Sequence, residues 1–194
     1  HFVSDTRPDR RARLVDDLLE RPEFADYFAL QWADLLRVDR QALGPKRAYA
    51  YYKWVHDAVG ANKPVDQFAR EVVTAEGALG EVGPASFYKV VNKPGERAST
   101  LSQVFMGVRI ACAECHHHPY DRWAQTDYYG MTAYFAGVAV KATAGGELLM
   151  AEGAAVAKNP RSGADVAAHP LGEKQPTTVP VGDRREELAD WLTR

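Results

Sequence analysis

Two thiols and an imidazole lie within five residues of each other, at Cys112-Ala113-Glu114-Cys115-His116, inside the stretch "ACAECHHHPYD". Cys112 and Cys115 are the two cysteines of the chain, and His116, His117 and His118 are three of its six histidines. Three chemistries use such a cluster. Two thiols at this spacing can both bond to the vinyl groups of one porphyrin, and the histidine after the second thiol then meets the iron. Thiolates and imidazoles are also tetrahedral zinc ligands. A C-x-x-C that opens a helix is a redox dithiol, because the helix dipole lowers the thiol pKa.

The surroundings rank these three. A structural zinc site draws its second ligand pair from a distant segment, yet His1, His56 and His169 occur singly and no second C-x-x-C exists. A redox dithiol opens its helix, whereas this motif is expected at or just past the end of one. Covalent haem c therefore leads, with Cys112 and Cys115 as attachment points and His116 as proximal iron ligand. His117 and His118 stand too close to His116 to reach the other face of a ring. They read as a solvated residue and a loop anchor, His118 bonding to Asp121 or to a haem propionate. For the distal position the chain offers Met131, Met106, Met150 and His56. Met131 ranks first because the following loop would fold back over the ring, and an open distal side is the alternative.

The elements that must position the motif are mostly helical. "SDTRPDRRARLVDDLLERPEF" predicts a helix capped by Asp5 or Thr6, with Leu14, Val15, Leu18 and Leu19 on one face. "PEFADYFALQWADLLRV" and "KRAYAYYKWVHDAVG" continue the pattern, the second ending at Gly60. "PVDQFAREVVTAEG" is a short helix closed by Gly77, and "ASFYKVV" is ambiguous between helix and strand. "GERASTLSQVFMGVRIACAECH" reads as one helix running into the motif. "QTDYYGMTAYFAGV" reads as the next, with Thr126 as cap and Asp127 in its first turn.

Beyond Val138, β-branched residues around Gly145-Gly146 predict a hairpin. Residues 159–182 are rich in Pro, Gly and polar groups and read as an extended arm, free to wrap a neighbouring subunit or to lie on its own core. "DRREELADWLTR" predicts a terminal helix. The expected class is mainly α: an irregular bundle of about six helices around a haem c, with a hairpin-like segment and arm near the C-terminus. The expected divisions are a helical haem-binding domain over 1–138, the hairpin and arm over 139–182, and the last helix over 183–194.

Composition sets outer bounds. The 194 residues are 46% hydrophobic and 26% charged, enough for a real core. A net charge of −2 gives no reason to expect nucleic acid or an anionic membrane as partner. No apolar run approaches the ~20 residues needed to cross a bilayer. The first residue is His1 rather than Met, so a processed product or an excised fragment is expected.

With these motifs in view, a resemblance emerges. "LVDDLLERPEFADYFALQWADLLR", "YYKWVHDAVGANKPVDQFARE", "QVFMGVRIACAECHHHPYDRWAQTDYYGMTAYFAGV" and "PVGDRREELADWLTR" resemble a family of large planctomycete-type secreted proteins. Their domain of unknown function carries a single CxxCH and is named for a presumed cytochrome c character. "DRREELADWLTR" resembles the opening of that family's second, downstream domain. The resemblance implies a c-type cytochrome that is periplasmic or extracellular and works with a redox partner protein. By position it implies Cys112, Cys115 and His116 as the haem motif, with His118 and Asp121 in its usual continuation. It supplies no reaction. Electron transfer by one haem is the leading function. A haem enzyme with an open distal side, acting on a small oxidant or a carbohydrate-related substrate, is the first rival. A zinc-stapled binding domain is the second.

Overall fold

The computed structural model describes residues 2–178 and 181–194; His1, weighed above as a distant zinc ligand, lies outside the described residues. The chain is mainly α with small antiparallel sheets. Helices α1 (Arg10–Leu19) and α2 (Pro22–Leu35) precede the short α3 (Arg40–Leu43) and α4 (Pro45–Gly60). Then come α5 (Val65–Val73), α6 (Ala85–Val90), α7 (Pro94–Met106), α8 (Gln125–Ala133) and the last helix, α9 (Arg185–Leu192). Proline stands at the start of α2, α4 and α7, where its missing N–H has no helical partner to lose and its fixed φ suits the first turn.

Several boundaries differ from the sequence expectation for identifiable reasons. Helix α1 begins after Asp9, because Asp5 is engaged by the amide and guanidinium of Arg7 instead of capping. Helix α4 runs through Gly60, and Asn62 supplies the left-handed residue beyond it, at φ 48°. Helix α5 stops at Val73, short of Gly77. At α8 the cap is not Thr126. The carboxylate of Asp127, in the first turn, accepts the N–H of Ala124 at 2.8 Å, and Thr126 is left exposed. The ambiguous "ASFYKVV" is helix α6.

Strands β2 (Val138–Thr143) and β3 (Gly146–Ala151) form the expected hairpin, with Thr143 opposite Gly146. Strand β1 (Gly77–Ala78) adds to the other edge of β3, giving the order β1-β3-β2. The arm is not free. Strand β4 (Val156–Lys158) pairs antiparallel with β5 (Asp165–Ala167), and residues 166–171 are buried against the chain's own core. One continuous core runs from Leu36 and Tyr51 through Phe87, Ile110, Met131 and Phe135 to Leu149 and Leu188.

Two buried arginines pin this arrangement. Arg97 of α7 donates to the carbonyls of Tyr88, Val91, Asn92 and Val138, so one guanidinium ties α7 to α6 and β2. Burial holds its pKa down to about 10, so it stays charged at neutral pH. Arg185 of α9 is 0% exposed, donates to the Ala75 carbonyl at 2.7 Å and is bonded to both oxygens of Asp183. The Tyr88 ring is within reach of both, 5.1 Å from Arg97 and 5.3 Å from Arg185. Desolvation pushes the Asp183 carboxyl up, but the bonds from Arg185 outweigh it and hold the group below its ordinary value.

Arg185→Met should cost roughly 3 kcal/mol in urea unfolding, because Asp183 and the Ala75 carbonyl lose a buried partner. Since the folded pKa of Asp183 is depressed, the pair's contribution is present above the ordinary value of 3.8 and disappears as pH falls through the folded value. The stability gap between the parent chain and Asp183→Asn should therefore close under acid. A gap that stays constant from neutral pH to pH 2 would contradict the assignment.

Candidate functional site

The motif does not continue α7. Gly107 adopts φ 67°, the left-handed conformation that glycine takes without a Cβ penalty, and the N–H groups of Gly107 and Val108 both return to the Ser102 carbonyl. The helix therefore ends at Met106, before the motif. A separate 3-10 turn spans Ile110–Ala113, and Glu114 continues it with helical dihedrals. With three residues per turn, positions three apart eclipse. Ile110 and Ala113, both 0% exposed, fasten one face to the core. Ala111 and Glu114 both line the cleft described below, and Cys112 lies within the turn while Cys115 follows it.

Both thiols are free, Cys112 half-buried and Cys115 exposed. His116 follows on the exposed loop. Its Nδ1 lies 2.6 Å from the His117 carbonyl. A carbonyl can only accept, so Nδ1 donates in this bond and Nε2 is the ring nitrogen turned to other partners. His117 is exposed, as expected. His118 does anchor the loop, but through different partners from those foreseen: its N–H donates to the Trp123 carbonyl and its Nδ1 accepts from the amide of Tyr120. Asp121 is occupied by the amide of Arg122. From α8, Gln125 and Tyr129 both donate to the Glu114 carbonyl, and Arg161 of the arm reaches the Cys115 carbonyl at 3.5 Å.

Beside the turn opens a cleft of about 760 Å³, within the range of small-molecule sites. Its walls are the N-terminal half of α7, Ala111 and Glu114 of the motif, α8 through Tyr128, Tyr129 and Thr132, and strand β4. Arg37, Lys93 and Lys158 line it from exposed positions, and Tyr128, Tyr129 and Ala157 from buried ones. Burial, together with the charge of Glu114, pushes the phenols of Tyr128 and Tyr129 up, so both remain neutral hydrogen-bonding groups.

The other sequence candidates lie elsewhere. Met131 is 1% exposed inside the core and does not line the cleft. Met106 ends α7 and Met150 lies in β3, both half-buried. His56 of α4 is bonded to Asp26 at 2.9 Å. His169 is buried in the arm, with Nδ1 2.9 Å from the Ala167 carbonyl. Among the described residues, no three His, Cys, Asp or Glu side chains are grouped to hold a metal ion. The spacing argument missed the cleft, because its walls come from segments up to 121 positions apart, Arg37 to Lys158. It also missed Arg37 itself, which sits in the left-handed position after α2 at φ 56°.

A family model described as PSCyt2, protein of unknown function (DUF1549), matches residues 1–140. The chain belongs to this family. PSCyt2 is a planctomycete cytochrome-c-related domain family of unknown function. No curated protein and no solved structure matches the chain. The PSCyt2 match takes in the motif, α7 and α8, and ends within β2. Strand β4, which walls the cleft, and the arm that follows lie beyond it.

The arm's seat on α8 depends on a missing side chain. A Cβ on Gly130 would come within 2.3–2.7 Å of the His169 ring. Gly130→Ala should therefore cost about 1–3 kcal/mol and loosen the arm. Limited proteolysis should then cut within residues 155–172 faster than in the parent chain; an unchanged cleavage rate would show that the arm is held by other contacts.

Proposed function

We propose that this chain is a c-type cytochrome domain with one haem bonded to Cys112 and Cys115 and ligated by His116, passing single electrons outside the cytoplasm. What carries this reading is the spacing of Cys112, Cys115 and His116, with both cysteines free and His116 on the exposed loop just after the 3-10 turn. Thioether formation needs two thiols presented to one ring edge, and an axial bond needs a neutral imidazole nitrogen. The donor set fits both requirements. When bound, the iron would supply a one-electron couple between its ferric and ferrous states.

The protein's own part is positional. Ile110 and Ala113 hold the turn to the core, so the thiols are presented from a fixed element. The bond from His116 to the His117 carbonyl orients the ring. With Met131 packed as core filling, the reading does not rely on it as sixth ligand. The open-site enzyme stays in view as the rival, and the coordination number of the reduced protein decides between them. The zinc staple is disfavoured on geometry. Zinc needs its ligands to converge on one point, and among the described residues no three candidate side chains do so.

Produced in a host that matures c-type cytochromes, the protein should give a pyridine haemochrome of the c type at one haem per chain. Cys115→Ala should retain at most one thioether, shifting the haemochrome band accordingly. His116→Ala should change the Soret position and spin state while leaving the haem covalently bound. A colourless protein, or a His116→Ala spectrum identical to the parent's, would contradict the assignment.

A further inference from the structure

We propose that the cleft beside the cysteine turn binds a sugar-sized polyol that carries one acidic group, a phosphate, sulfate or carboxylate. The proposal stands apart from the haem reading, because none of Cys112, Cys115 and His116 lines the cleft. The lining disfavours a flat apolar guest. Glu96, Ser99, Thr100 and Gln103 line it from α7 at the i, i+3, i+4, i+7 spacing of one helix face, and Tyr129 and Thr132 line it from α8. An apolar body would strip water from these groups and return no hydrogen bonds.

Hydroxyls on the guest match this wall, because Ser, Thr, Tyr and Gln side chains both donate and accept. Thr100 carries the point furthest. It is 7% exposed, and its hydroxyl has no hydrogen-bond partner among the described residues. A buried hydroxyl that lines a cleft is satisfied by what enters it. Charge then assigns the acidic group. Arg37, Lys93 and Lys158 line the cleft together with Glu96 and Glu114, a surplus of one positive charge. Lys93 is paired with Glu96 at 3.1 Å, whereas Arg37 and Lys158 have no carboxylate partner among the described residues. The start of α7 adds to this field. It lines the cleft with Pro94 and Gly95, and no side chain caps it, so the positive end of the helix dipole is offered to a guest. A Cβ on Gly95 would stand 2.3 Å from the Tyr128 hydroxyl, so glycine there lets a phenol of α8 approach the same turn.

The test is calorimetric titration of the full chain with four probes. Glucose 6-phosphate, glucose 6-sulfate and glucuronate each carry an acidic group on one sugar body, and glucose carries none. At least one of the three acids should bind about tenfold or more tightly than glucose, and the one that does identifies the acidic group. Its affinity should fall as salt is raised. Arg37 and Lys158 are exposed, so R37Q/K158Q should unfold thermally as the parent does. That variant should lose the preference for the acid, and R37K/K158R should keep it. T100V, which removes the hydroxyl, should weaken binding roughly threefold or more, and T100S, which keeps it, should not. Binding of none of the probes, equal affinity for glucose, a preference that survives R37Q/K158Q, or parent affinity in T100V would overturn the inference.

Discussion

A single guanidinium, that of Arg97, sets where the functional part of this chain lies. It is 2% exposed and satisfied by four backbone carbonyls rather than by a carboxylate, so its charge is compensated only while α6, the segment after it and β2 all stay in place. Any slip of α7 would leave a buried cation facing incomplete partners. The position of α7 matters twice. Its N-terminal half walls the cleft, and its C-terminal end decides where the cysteine turn begins. Arg185 performs the matching role for the last helix, and the ring of Tyr88 is close to both cations.

From that fixed helix, the site follows by small steps. Gly107 breaks α7 and turns the chain, Ile110 and Ala113 anchor a 3-10 turn that carries Cys112, and Cys115 and His116 follow directly after it. Ala111 and Glu114 line the cleft beside this turn. The loop that follows is held by backbone bonds from His118 and by Gln125, Tyr129 and Arg161, which leave the imidazole of His116 on the surface.

Much of this was legible in the residues because it is local. The apolar periodicity of α2, α4 and α5, the hairpin around Gly145-Gly146 and the CxxCH itself all depend on neighbours within a few positions. Boundaries were less legible where two local signals competed. Thr126 and Asp127 both suit a helix start, and the carboxylate won; "MGV" could continue a helix or stop it, and the glycine stopped it. Long-range features left no local trace. Arg97 and Arg185 look like solvated charges in the sequence, yet both are buried, Arg97 reaching the carbonyl of Val138 and Arg185 that of Ala75. The cleft and the arm's seat on α8 depend on pairings between β4, β5 and α8 that no spacing rule encodes. Met131 fits both a ligand and a core pattern by spacing, and the packing puts it in the core.

The central claim is that the two thiols on this turn are joined to one haem. Intact mass spectrometry after acid and organic-solvent extraction tests it most directly, on protein matured in a host that attaches haem c. The account predicts a single species heavier than the polypeptide by one haem, with the added mass retained through extraction and mapped to the peptide bearing Cys112 and Cys115. A polypeptide mass with both thiols free would contradict it.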